Sequence, residues 1–136
     1  MMISTKGRYA LRIMLDLAQH REDGYISLSK ISQRQGISVK YLEAIISVLN
    51  KAGMVESQRG KEGGYQLTKG PEEYSVGAIV KLTEGSIAPV ACLENDHVPC
   101  EHRFDCLTLP LWIKLEGVVD NYLESVSLID LLERKI

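Results

Sequence analysis

The 136-residue chain is 45% hydrophobic and 25% charged, with a net charge of −2. That length supports one domain with a real core. No apolar run is long enough to span a bilayer, and the first residues lack a signal peptide's apolar core, so a cytoplasmic protein without a membrane partner is expected. The small net charge hides an asymmetry: residues 1–70 carry 11 Lys and Arg against 6 Asp and Glu, whereas residues 71–136 carry 5 against 12. A basic first half suits a polyanion, and the acidic half should face away from it.

Residues 9–19 read as a helix with Tyr9, Ala10, Ile13, Met14 and Leu17 packed inward and Arg12, Asp16 and Gln19 on another face. Lys6 and Arg8 stand at its start, where they could meet phosphates. Residues 21–24 form a polar loop, and Tyr25 and Ile26 suit a short edge strand against the hairpin of residues 54–67. Residues 28–35 form a short helix ending at Gly36. A second helix over 39–51 follows, capped by Ser38 and closed at Gly53. Two helices joined by a short Gly-containing turn make a helix-turn-helix.

The second helix has two sides at about 100° per residue. Tyr41, Leu42, Ile45, Val48, Leu49 and Ala52 share a broad apolar side, and Lys40, Glu43, Ala44, Ser47 and Lys51 fall opposite. The opposite side has no large apolar residue, which suits entry into a DNA major groove. On an isolated helix such a face is more often simply solvated, and the residues that follow reverse that balance. Residues 54–58 then alternate as a strand, residues 59–64 form a basic Gly-rich turn, and residues 65–67 return. A basic hairpin directly after a helix-turn-helix is a wing. Its tip residues Arg59 and Lys61 are positioned to meet phosphates or enter a minor groove. The candidate contacts to double-stranded DNA are therefore Ser38, Lys40, Tyr41, Glu43, Ala44, Ser47, Lys51, Arg59 and Lys61.

Lys69, Gly70 and Pro71 break the chain. Ser75 caps a helix running to about Glu84, with Val76, Ile79 and Val80 on one side and Gly85 at its end. Residues 86–91 are extended, and residues 92–106 show no period. The last long helix starts near Pro110. Trp112, Leu115, Val119, Tyr122 and Val126 repeat as a heptad-type seam, while Leu111, Val118 and Leu123 lie off it. A symmetric dimer would bury the excess apolar surface. Residues 127–130 form a capping box for a short final helix. The expected fold is mainly α with a small β-hairpin: a winged helix-turn-helix with a long C-terminal dimerisation helix. Its organisation is 1–84 for DNA binding, 85–109 for the cysteine-bearing loop and 110–136 for dimerisation, in one compact unit.

All three cysteines, Cys92, Cys100 and Cys106, lie within 15 residues. An odd number in a cytoplasmic chain argues against a disulfide framework. Thiolates are soft ligands for iron–sulfur clusters, zinc or copper(I), and the spacing is looser than in zinc ribbons. A thiol-bearing loop without metal is the competing reading.

Three stretches carry a resemblance. The opening Ile-Ser-Thr-Lys-Gly-Arg-Tyr-Ala-Leu, the helix start Ser-Val-Lys-Tyr-Leu-Glu and the wing Arg-Gly-Lys-Glu-Gly-Gly-Tyr resemble the IscR-like family of bacterial winged-helix regulators. Its members include iron–sulfur biogenesis, nitric-oxide-sensing and cysteine-metabolism repressors. The resemblance covers essentially the whole chain. It implies a homodimeric, DNA-binding transcription repressor whose three cysteines hold a 2Fe-2S or 4Fe-4S cluster sensing iron, oxygen or nitric oxide, with zinc as the lesser alternative.

Cys106-Leu107-Thr108-Leu109-Pro110-Leu111-Trp112 matches the family pattern around the last cysteine. Two departures stand out. The first cysteine gap is longer than in the biogenesis regulator, and Leu109 occupies the position of a histidine ligand there. The fourth ligand is therefore open, with His97 and His102 as candidates and Glu94, Asp96, Glu101 and Asp105 as oxygen donors. Nitric-oxide-sensing relatives draw a ligand from the partner's first helix, but Arg8 here is a cation and cannot serve. The segment Glu84-Gly85-Ser86-Ile87-Ala88-Pro89-Val90 also resembles the cysteine-metabolism repressors, which lack the three cysteines and act through an enzyme of cysteine synthesis. That is the alternative for the mode of control. A metal-binding adaptor using a winged helix for protein contacts is a further class. An enzyme is not expected, because no nucleophile–base pair, phosphate-binding glycine motif or paired carboxylates are visible.

Overall fold

The structure, a computed structural model, describes residues 2–94 and 101–136. Helix α1 (Thr5–Gln19) starts a full turn before its apolar period suggests. Ser4 is extended and its hydroxyl accepts the Gly7 amide at 3.4 Å, which caps the early start. The Glu84 carboxylate accepts from the Ser4 amide (2.9 Å) and hydroxyl (2.6 Å), adding a negative charge at the positive end of α1.

Helix α2 (Leu28–Gln35) is capped by Ser27 and ends at Gly36 in the left-handed region (φ 67°). Helix α3 (Val39–Lys51) is capped by Ser38, whose hydroxyl accepts the Tyr41 amide at 3.2 Å. It buries Leu42, Ile45, Ile46 and Leu49. Two details correct the sequence reading. Ile46 joins the buried face, and Ala52 is exposed because the helix has passed the core by its last turn and Gly53 (φ 75°) redirects the chain.

Strands β1 (Val55–Gln58) and β2 (Gly64–Leu67) pair antiparallel from Val55↔Leu67 to Gln58↔Gly64. The expected edge contact is present: Ile26 and Tyr65 exchange hydrogen bonds of 2.9 and 2.8 Å. At Gly64 this approach is so close that a Cβ would collide with the Ile26 carbonyl and the Ser27 amide. Gly64→Ala is therefore expected to pry the wing from residue 26 and cost about 1–3 kcal/mol, as overpacking does. Urea unfolding would report it, and an unchanged midpoint would show that the hairpin accommodates a Cβ at this position. The base of the wing is held by Tyr74, a buried residue that carried no expectation from the sequence. Its hydroxyl donates to the Met54 carbonyl (2.8 Å) and accepts from the Thr68 and Lys69 amides (2.9 and 3.1 Å).

Helix α4 (Val76–Glu84) is capped by Ser75 and ends at Gly85. Helix α5 (Leu109–Ser125) follows the cysteine segment, and α6 (Leu128–Leu132) opens on the expected Ser127–Asp130 capping box. The main core joins α1 and α3 to Ile26, Ile31, Val55, Tyr74, Ile79 and Leu128. A second cluster of Val76, Val80, Ile87 and Val126 receives Ile3, Leu11, Val119 and Leu123 at its margin.

The predicted seam of α5 is divided. Val119 and Val126 pack toward α4, while Leu115 and Tyr122 stay exposed beside the off-seam Leu111 and Val118. The rotation of α5 is fixed by Lys81 on α4, whose ammonium lies 2.7 Å from both Asp120 and Glu124. Ser75 donates to Glu124 at 2.8 Å. The unpartnered stripe is thus Leu111, Leu115, Val118 and Tyr122. No helix among the described residues is long and apolar enough to cross a membrane.

Candidate nucleic-acid interface and cysteine cleft

Lys40, Glu43, Ala44, Ser47 and Lys51 are all exposed on α3, and Arg59 and Lys61 are exposed on the wing. Ser38 and Tyr41 border the start of α3 and are also exposed. Tyr41 belongs with this outer face rather than with the core side. Its ring meets Tyr9 edge-on at 5.6 Å, and the Arg12 guanidinium lies 5.3 Å from the Tyr9 ring centre. The face is therefore mainly polar and small, bordered by exposed Val39 and by Tyr41, which is tied to α1.

A buried polar clamp holds the helix-turn-helix against α1. Asp16, expected among the polar positions of α1, is instead 1% exposed. Arg34 donates to it twice, from Nε (3.0 Å) and Nη2 (2.7 Å), and Gln35 donates at 2.8 Å. Burial by itself would push the Asp16 carboxyl up. The hydrogen bonds from Arg34 and Gln35, with the charges of Arg34 and His20, outweigh it and hold the group below its ordinary value. Arg12 adds a second tie, donating to the Gln35 side chain (3.1 Å) and to its main-chain carbonyl at the end of α2. These residues position the turn before the recognition helix. The signal in the sequence was a carboxylate at the edge of an apolar arc, which needs a cation once buried.

Of the predicted metal ligands, Cys92 and Cys106 are half-buried and line one small cleft with Arg103 and Leu109. The Thr108 hydroxyl sits 3.4 Å from Cys106 Sγ. Its hydrogen bond, together with the Thr108 and Leu109 amides, holds the Cys106 thiol below its ordinary value. Two soft donors, one favoured as thiolate, fit the chemistry of an iron–sulfur or thiolate-metal site. Cys100 and His97 lie outside the described residues. His102 is largely exposed with its ring 3.8 Å from Asp105, and Leu109 contributes an apolar wall. Among the described residues, no three His, Cys, Asp or Glu side chains converge on one point.

Residues 3–134 match the family profile described as Rrf2, iron-dependent transcriptional regulator. The chain is 40% identical over 132 residues to the HTH-type transcriptional regulator IscR of Aliivibrio salmonicida, covering 97% of this chain and 77% of that protein. Among solved structures it is similar to CymR, the global cysteine regulator of B. subtilis (TM-score 0.79, 40% identity, 98% of each chain). It is similar also to IscR of T. potens (TM-score 0.80, 39% identity, 100% of this chain and 89% of that one). A polar recognition helix, a basic wing and similarity along nearly the whole length agree: the chain belongs to the Rrf2 family and is a winged-helix, DNA-binding transcriptional regulator.

Proposed function

We propose that this regulator is a homodimeric repressor that reads operator DNA with α3 and the wing, and that a cluster on Cys92, Cys100 and Cys106 sets its affinity. The observation that carries the reading is the outer face of α3: Lys40, Glu43, Ala44, Ser47 and Lys51 exposed together, bordered by Val39 and Tyr41 and followed in the chain by a basic wing tip. On a two-fold dimer, paired recognition helices meet half-sites about one helical turn apart. The Glu43 carboxylate can accept from a cytosine amino group, whereas Arg59 and Lys61 suit phosphates or the minor groove. Glu43→Ala is expected to relax base preference more than it weakens binding. Arg59→Ala is expected to weaken binding across sequences by about 1–3 kcal/mol if the contact is well buried in the complex. Operator titrations over a range of salt test both, and an unchanged affinity and salt slope for Arg59→Ala would remove the wing from the interface.

Control would pass through residues 85–108, which join α4 to α5. A bound cluster supplies redox and nitric-oxide chemistry and a common anchor for three thiolates. The chain's own part is to present those thiolates, with Thr108 favouring the charged form of Cys106, beside the start of α5. The recognition helices of a dimer are related through α5, so a change in how α4 meets α5 alters their separation. Such coupling is typically about 1–3 kcal/mol. With Leu109 in the cleft, the fourth ligand falls to His97, His102 or an oxygen donor.

A second reading is favoured by the likeness to CymR over 98% of both chains and by the apolar Leu109: control by a partner enzyme of cysteine synthesis, without a cluster. Anaerobic reconstitution separates the two. Under the first reading, wild type takes up iron and sulfide, each Cys→Ala variant loses the visible absorption, and holo and apo forms differ in operator affinity. Absence of uptake, or equal binding by both forms, sinks the cluster switch and leaves the partner-controlled reading.

A further inference from the structure

A cleft of about 320 Å³ opens between α1, the end of α2 and α6, away from the cysteines. It is lined by Leu15, Leu131 and Leu132 together with the polar Arg12, Gln19, Gln35 and Arg134. A volume of this order suits a small metabolite. The two guanidinium groups are the informative feature. Other cations nearby have anionic partners: Arg34 with Asp16, and Lys135 with Glu133. Arg12 instead donates to the neutral Gln35 side chain and carbonyl and faces the Tyr9 ring. Among the described residues, no carboxylate lies within ion-pair distance of Arg12 or Arg134.

The backbone at Arg134 adds an independent observation. Its φ is 56°, and among the described residues it is the one non-glycine with positive φ. The Lys135 amide donates to the Asp130 carbonyl at 2.8 Å, so Arg134 occupies the left-handed closing position of α6, where glycine is the favoured residue. Arg134 thus holds its guanidinium at a backbone position that favours glycine, beside a second guanidinium that has no carboxylate partner.

We propose that this cleft binds a small carboxylate with a short branched apolar tail. The carboxylate meets the planar forks of Arg12 and Arg134, whose geometry suits two parallel N–H···O bonds. The tail lies on Leu15, Leu131 and Leu132. Arg12 also holds the last carbonyl of α2, immediately before the Gly36 turn into the recognition helix. A carboxylate that draws Arg12 away loosens that hold, making the ligand an effector of operator binding; this consequence rests on the DNA-binding reading above. A DNA phosphate is another oxyanion that Arg12 and Arg134 could bind, and the test separates the two sources.

Isothermal titration of the intact protein with isovalerate, acetate and inorganic phosphate at constant ionic strength tests the site. Isovalerate is expected to saturate and to bind more tightly than acetate or phosphate. Arg12→Gln and Arg134→Gly should each weaken it by about tenfold or more, equivalent to about 1.4 kcal/mol. Arg134→Gly should melt at the same temperature as wild type or higher, because glycine relieves the positive φ; that separates a binding role from a structural one. Saturating isovalerate should change operator affinity severalfold in wild type and leave it unchanged in Arg134→Gly. The absence of saturable isovalerate binding, or equal binding by Arg134→Gly, overturns the site. If isovalerate fails to bind while Arg134→Gly lowers operator affinity and reduces the salt slope by about one phosphate, the cleft is a DNA-backbone contact and the proposal is overturned. Binding without any change in operator affinity overturns the effector role. Operator binding by untreated wild type, and its weakening in Arg59→Ala, reports on the DNA reading separately.

Discussion

Val118→Glu is expected to convert the protein to a monomer at micromolar concentration and to lower operator affinity by a factor of about 10²–10⁴, the gain normally supplied by joining two binding modules. Val118 is 58% exposed on α5, within a stripe that also leaves Leu111 58%, Leu115 37% and Tyr122 57% exposed. Contiguous apolar surface of this kind marks an interaction site. A two-fold axis beside α5 would bring each residue of the stripe against the same stripe on a second copy, so one new carboxylate per chain becomes two facing charges. The substitution touches neither buried cluster, so the thermal stability of the monomer should change little. Sedimentation and operator titration of the same preparation check the result. A variant that remained dimeric would move the interface off this stripe. A monomeric variant with full operator affinity would mean that the two half-sites are not read together.

Asp16→Ala is expected to destabilise the protein by about 2–4 kcal/mol, somewhat less than a fully buried pair would cost, since Arg34 can regain water. The Arg34 side chain is 33% exposed. Three hydrogen bonds disappear at once, and Gln35 loses the acceptor for its side-chain amide. The pH dependence has a definite sign. The folded carboxyl is held below its ordinary value, so its contribution is present above an unfolded value of about 3.9 and fades as pH falls through the lower folded value. The stability difference between wild type and Asp16→Ala should therefore be constant from neutral pH to about pH 5 and shrink below about pH 4. Urea melts across that range measure it. A difference independent of pH down to pH 2 would show that packing, and not the ionised carboxylate, accounts for the loss.

What the sequence by itself determined was local. Ser38 before α3, Ser75 before α4, Gly36 and Gly85 after their helices and the Ser127–Asp130 box were legible because a cap and its amide lie within about four residues. The buried Leu42, Ile45 and Leu49 and the exposed Lys40, Glu43 and Ser47 were legible because a helix repeats every 3.6 residues. The wing and its contact at residue 26 followed from glycines and alternation, and the family from motifs that span the chain.

Only the tertiary structure decided where long-range partners meet. Asp16 resembles a solvated polar position of α1 until Arg34 and Gln35, 18 and 19 residues later, close over it. The seam of α5 could be drawn several ways, because the helix is apolar over more than one surface. The Lys81 bridges to Asp120 and Glu124 select the rotation that turns Val119 inward and leaves Val118 and Tyr122 outward. Cys92 and Cys106 were linked in the sequence only by spacing, and the fold brings both to one cleft beside Leu109. Arg12 and Arg134 lie at opposite ends of the chain, so no periodic pattern could have shown that they line the same cleft. Caps and periods are short-range consequences of backbone geometry. Burial of a charge and the meeting of distant side chains depend on which helix faces pack together, which is decided only when the whole core closes.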